Sequence, residues 1–176
     1  REMLAILEER DFPVAELRPL ASSRSAGSSI DFKGRPVLVQ EACENAFAGM
    51  DIVLGAAEND IAKKFAPAIK AAGAVFVDNS SAFRMNPEVP LVIPEINPED
   101  AKLHQGIIAN PNCTTIVTLV AVNALSKLSP IKAMVASSYQ AVSGAGVAGP
   151  RELMAQVEAI YKGETPEINA FQYQIA

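Results

Sequence analysis

The chain has 176 residues, 49% of them hydrophobic and 20% charged, and a formal net charge of −5. That length and apolar content allow one full domain, or one and a part, around a sizeable core. The acidic balance leaves no basic stripe, which argues against nucleic acid or an anionic membrane as partner, and no apolar run reaches the roughly 18 to 20 residues of a membrane span.

In chain order, "REMLAILEERDFP" sets Met3, Leu4, Ile6 and Leu7 at helical spacing with no capping residue ahead of them, as in the tail of a helix. The start has no signal-peptide pattern, so a cytoplasmic setting is expected. "VAELRPLASS" reads as a strand running into the polar loop "SSRSAGSS". "IDFKGRPVLVQ" reads as two short strands around Gly34, and "CENAFAGM" as a short helical turn. Cys43 in that turn is expected to be a small buried apolar residue.

"DIVLGAA" is a continuous apolar run, the pattern of a strand covered on both faces in a parallel sheet. "ENDIAKKFAPAIKAAG" follows, with Ile61, Phe65, Ala68, Ile69 and Ala72 at spacings of three and four and Gly73 at its end, and then a second buried strand, "AVFVDNSS". Strand, helix and strand of these lengths make a βαβ unit of a Rossmann-like, doubly wound α/β sheet, whose ligands lie off the carboxyl ends of the strands. The loops 22–29, 56–60 and 79–86 are then candidates to line one site.

Prolines 87, 90, 94 and 98 make "MNPEVPLVIPEINPED" an extended crossing rather than a helix. "GIIAN" gives another strand and "TTIVTLVAVNALSKL" a helix. The sheet domain is expected to cover 1–112. A second, α+β unit would begin at 113 and run through 176, with a strand at "IKAMVASSYQAV", a Gly-rich loop opening an amphipathic helix at "SGAGVAGPRELMAQVEAIYKG", and a strand-like alternation in "INAFQYQIA".

Cys113 stands at the first turn of the predicted helix, behind Pro111 and Asn112. There it faces unpaired main-chain N–H groups and the positive end of the helix dipole, which favour a thiolate nucleophile; a buried apolar residue opening a core helix fits the position equally well. With two distant cysteines, no CxxC spacing and the single His104, no typical zinc site can form, and no metal is expected. His104 itself is expected to be exposed and without a role.

Three segments, "VDNSSAFRMNPEVPLVIPEIN", "ANPNCTTI" and "SSYQAVSGAGVAGPREL", resemble aspartate-β-semialdehyde dehydrogenases of the branch with a "PNC(S/T)T" nucleophile motif, in the family's order and spacing. The resemblance covers the chain from the end of the first helix onward. It implies an NADP-dependent reduction of β-aspartyl phosphate to aspartate semialdehyde through a cysteine thioester, with release of phosphate, on the path to lysine, threonine and methionine. Cys113 would be the nucleophile, since a thiolate adds readily to an acyl phosphate and a thioester accepts hydride.

By the same resemblance Arg84 binds phosphate, Asn112 donates to that phosphate or to the developing oxyanion, and Gln140 positions substrate and the thioester carbonyl. Ser143 and Gly144 touch the nicotinamide half of the cofactor. Arg24 and Ser25 recognise the adenosine 2′-phosphate, so that NADP is favoured over NAD. Family members are homodimers or homotetramers built through the second domain. The family's pyrophosphate loop would precede residue 1 and its general acid/base histidine would follow residue 176, so the stretch alone is expected to be inactive. Glu58, Asn59 and Asp60 stand where many members carry small residues near the cofactor, which puts acidic charge there.

Two relatives share the thioester chemistry. N-acetyl-γ-glutamyl-phosphate reductase, the nearest enzymatic alternative, typically carries "NPGCY", against Asn112 and Thr114 here. Glyceraldehyde-3-phosphate dehydrogenase resembles "SCTTN" but not "SAFRMNP" or "YQAVSGAG". A non-catalytic Rossmann-type binding module, with Cys113 as core filler, is the alternative from another class.

Overall fold

A computed structural model describes residues 2–176. It divides into two compact units, Arg1–Ile116 and Val117–Ala176.

The first unit opens with α1 (Glu2–Glu9), which buries no residue, although Met3, Leu4 and Leu7 are half-covered. The strand expected from "VAELRPLASS" shrinks to β1 (Leu20–Ala21), paired in parallel with β4 (Gln40–Glu41). In the stretch ahead of β1, Arg18 folds its side chain onto the Ala46 and Ala48 carbonyls at 2.8 and 3.2 Å. Between β1 and β4, β2 (Ser29–Phe32) and β3 (Arg35–Leu38) form an antiparallel hairpin. Lys33 and Gly34 make its two-residue turn with φ of 50° and 71°, left-handed at both positions as the twist of a tight hairpin requires.

β5 (Ile52–Gly55), β6 (Val75–Asp78) and β7 (Ile107–Ala109) form a parallel sheet in that order, with α2 (Asn59–Ala71) as the crossover between the first two. α2 ends at Gly73, whose φ of 80° supplies the left-handed exit. The register puts Val53, Phe76 and Ile107 on one face, with Gly55, Asp78 and Ala109 beyond them. That face and the Ala62, Phe65, Ala66 and Ile69 side of α2 make the core, joined by Phe47 from a 3-10 turn at Glu44–Phe47. Phe47 and Phe65 meet edge to face with centroids 5.4 Å apart, a favoured aromatic geometry.

The opposite face differs from the expectation for "DIVLGAA". Ile52 and Leu54 are 50% and 42% exposed, so the strand is covered on one side only. Ile61 of α2, expected in the core, is also exposed; Ala62 takes its place because the buried stripe is set by Phe65 and Ile69. Cys43, expected to be buried, is exposed. It precedes the 3-10 turn in extended conformation, and the apolar contacts of the turn fall to Ala46 and Phe47 instead.

Residues 86–97 run without regular structure as their prolines dictate, apart from a parallel bridge between Leu91 and Ala109, and a 3-10 turn at Pro98–Leu103 leads into β7. His104, expected to be exposed, is half-buried because its Nδ1 accepts the Gly106 N–H at 3.0 Å.

α3 (Cys113–Ser126) begins at the expected cysteine and carries the chain into the second unit. There, the strand expected over 131–142 does not form, and among the described residues no strand lies beyond β7 to pair with it. A 3-10 turn at Val142–Ala145 and α4 (Ala148–Lys162) follow. What α4 buries is Gly149, Glu152 and Gln156, one line along the helix. A Cβ at Gly149 would lie 2.0 Å from the Val142 carbonyl oxygen, so the turn and the helix can meet this closely only at glycine.

"INAFQYQIA" is bent rather than a strand. Its main-chain N–H groups are taken by side chains of α4: Asn169 and Ala170 donate to the Glu152 carboxylate, and Ile175 and Ala176 to Gln156 Oε1.

Candidate active site

Three parallel strands end together, and the residues just past their ends are bound to one another. Asn79, the first after β6, donates both its N–H (3.3 Å) and its Nδ2 (2.7 Å) to the Gly55 carbonyl at the end of β5. Asn110, the first after β7, donates its N–H to the Asp78 carbonyl at 2.8 Å and its Nδ2 to Asn79 Oδ1 at 2.7 Å. The fully buried Asp78 carboxyl group receives the N–H (3.1 Å) and Oγ (2.6 Å) of Ser80, so its polar oxygens have partners where burial would otherwise be costly.

Arg84 reaches back into this cluster. Its Nε donates to the Asn110 carbonyl at 2.9 Å and its Nη2 to the Asn79 carbonyl at 3.0 Å. Two of the five guanidinium N–H groups are thus spent on the main chain, and the Nη1 edge lies outside both bonds. A half-buried guanidinium held this way is a fixed cation whose remaining donors suit phosphate oxygens.

From the same strand end the chain passes through the buried Pro111 to Asn112, which caps α3: its Oδ1 accepts the Thr114 N–H at 3.0 Å, and its carbonyl accepts the Ile116 N–H at 3.0 Å. Cys113 is therefore the first residue of the helix, and it is exposed. The expectation of a buried core-filler thiol does not hold. Arg84, Asn112 and Cys113 are brought to one strand end.

The other expected residues sit elsewhere. Arg24 and Ser25 are exposed on the turn after β1, where the Ser25 N–H and Ala26 N–H both reach the Ser22 carbonyl at 2.9 and 3.1 Å. The 56–60 and 79–86 loops are joined: the Asn59 side chain bonds both the Oγ and the N–H of Ser81, each at 2.9 Å. Glu58 and Asp60 on either side are exposed. In the second unit Gln140 lies over the Gly-rich turn, since a Cβ at Gly144 would be 2.9 Å from its Nε2, and Ser143 is exposed.

Sequence reasoning assigned nothing to Asn79 or Asn110. The available signal was a carboxamide in each case at the first position past a strand, where a short polar side chain can take up main-chain groups that the ladder leaves open. Among the described residues no cluster of three or more His, Cys, Asp or Glu could hold a metal ion, and no helix is long and apolar enough to cross a membrane.

Residues 1–104 match the family model "Semialdehyde dehydrogenase, NAD binding domain", and residues 122–176 match "Semialdehyde dehydrogenase, dimerisation domain". An aspartate-semialdehyde dehydrogenase of Synechocystis sp. is 51% identical over 99% of this chain and 52% of its own length. This chain belongs to the semialdehyde dehydrogenase family.

Solved members agree in fold. Aspartate semialdehyde dehydrogenase II from Vibrio cholerae, complexed with ASA, superposes with a TM-score of 0.82 at 42% identity, over 99% of this chain and 53% of that one. The enzyme from Candida albicans, solved with NADP, superposes with a TM-score of 0.57 at 27% identity, over 73% of this chain and 44% of that one. The chain spans about half the length of the curated relatives it matches. An NAD(P)-binding domain of the semialdehyde dehydrogenase type is therefore present, and Cys113 lies beyond the end of its match, at residue 104.

Proposed function

We propose that this chain carries the cofactor-binding part (1–112) and the nucleophile-bearing start of the catalytic part (113–176) of an enzyme that converts β-aspartyl phosphate to aspartate semialdehyde, on the cytoplasmic route to lysine, threonine and methionine. The observation that carries the reading is an exposed thiol at the first turn of α3 with a main-chain-anchored guanidinium at the same strand end.

On this reading Cys113 Sγ attacks the acyl carbonyl, the carbonyl C–O bond to phosphate breaks, and phosphate leaves toward the Nη1 edge of Arg84. The acyl group stays on sulfur as a thioester. Asn112, whose Oδ1 caps the helix, stands next to the nucleophile and serves the oxyanion or the departing phosphate. Gln140, lying across Gly144, positions the thioester carbonyl, and Ser143 and Gly144 line the nicotinamide side.

NADPH, when bound, would supply hydride to the thioester carbonyl carbon, and cleavage of the C–S bond would then release the aldehyde and return Cys113 as the thiolate. The loop after β1 fits the cofactor's 2′-phosphate: Ser22, Ser23, Arg24 and Ser25 are exposed, and residues 22–29 contain no carboxylate to hold a free ribose diol. The Candida albicans relative solved with NADP supports the same choice. Assembly is through the unit matching the dimerisation domain, as a homodimer or homotetramer.

The test is alkylation by iodoacetamide at neutral pH with the labelled site mapped by mass spectrometry. Both cysteines are exposed, so Cys43 serves as the internal control. Cys113 is expected to react faster and to be slowed by inorganic phosphate with NADP. Equal rates at the two cysteines, unchanged by those ligands, would overturn the reading.

A further inference from the structure

The proposed chemistry uses Arg84 but leaves unexplained why two asparagines are joined side chain to side chain beneath it. The last main-chain bonds of the sheet are those from the Asn79 and Asn110 N–H groups to Gly55 and Asp78. The carbonyls of Asn79 and Asn110 come after the ladder stops, and they are the two that Arg84 takes, at 3.0 and 2.9 Å. Nothing in the ladder sets the distance between them. The side chains of the same two residues do, through the 2.7 Å bond from Asn110 Nδ2 to Asn79 Oδ1.

This bridge has a direction. The Gly55 carbonyl can only accept, so Asn79 must turn Nδ2 toward it, at 2.7 Å, and Oδ1 away. Asn110 must then present Nδ2 to that oxygen. Reversing either amide would set two acceptors face to face, so the carbonyl of β5 orients the whole chain of amides up to the carbonyls beneath Arg84.

We infer that Asn79 and Asn110 are positioning residues for Arg84: their amide bridge fixes the carbonyl fork that grips the guanidinium and so aims its free edge at phosphate. The inference rests on the function proposed above. Neither asparagine needs to touch the substrate.

The experiment is steady-state kinetics of the protein at its natural length, run as phosphate-dependent oxidation of aspartate semialdehyde by NADP, with inorganic phosphate as the varied substrate. Asn79→Ala and Asn110→Ala are expected to raise the KM for phosphate about tenfold, the scale for misorienting a charged donor, and to move the other two KM values less than about twofold. In an Arg84→Ala background the same changes are expected to add less than about twofold, because the group they position is gone.

Should Asn79→Ala not fold, Asn110→Ser, whose hydroxyl falls short of Asn79 Oδ1, carries the comparison. A full-sized effect that persists without Arg84 would mean direct phosphate contact and overturn the inference. So would an equal rise in all three KM values with a lowered melting temperature, the mark of a merely structural pair. An unsubstituted protein with no phosphate-dependent turnover would instead defeat the proposed function itself, and this inference with it.

Discussion

Arg84 is bonded to two main-chain carbonyls, which hold a guanidinium in place without neutralising it, whereas Arg18 adds the Glu16 carboxylate at 2.7 Å to its own two main-chain carbonyls. Lysine keeps the charge but has no planar fork to grip both carbonyls and face phosphate at once. Arg84→Lys is expected to raise the KM for phosphate about tenfold or more, equivalent to about 1.4 kcal/mol or above, with little change in melting temperature. Kinetics beside a thermal melt would check it. Cys113 and Cys43 make a second contrast, since both are exposed and only Cys113 opens a helix of several turns beside an anchored cation.

At the scale of elements, the close contact between the 3-10 turn Val142–Ala145 and α4 depends on Gly149, while Gly144 in that turn meets only the end of the Gln140 side chain. Gly149→Ala must push main chain apart, and a loss of about 1–3 kcal/mol is expected, as for overpacking. Gly144→Ala displaces the end of one side chain rather than main chain, and it is expected to change stability by less than about 1 kcal/mol while lowering activity through Gln140. Denaturant melts and kcat on the two variants separate these outcomes. "INAFQYQIA" has the period of a strand, yet Glu152 and Gln156 of α4 supply its main chain with partners that a neighbouring strand would otherwise provide.

In the whole molecule the apolar core is lopsided. Every buried hydrophobic residue, from Phe32 to Ala109, belongs to the first unit, while the buried residues of α4 are Gly149, Glu152 and Gln156 and α3 buries none. Expressed separately, residues 1–116 are expected to melt cooperatively, and residues 117–176 to show little fixed structure and to bind a hydrophobic dye. Circular dichroism and dye fluorescence on the two pieces decide this; a cooperative melt of 117–176 would contradict it.

The sequence by itself determined the parts that depend on local chemistry. Gly73 and the spacing of Phe65 and Ile69 marked α2, Gly34 marked the break between two short strands, the prolines kept 86–97 out of a helix, and "PNCTT" placed a cysteine at a helix start. Each follows from backbone preference or periodicity within a few residues. Only the tertiary structure decided what those parts meet. Whether "DIVLGAA" is covered on one face or two, whether Cys43 is buried, and whether "INAFQYQIA" finds a strand or two side chains depend on neighbours distant in the chain. The same holds for Arg84, since its grip joins Asn79 and Asn110, 31 residues apart, only because parallel strands end side by side.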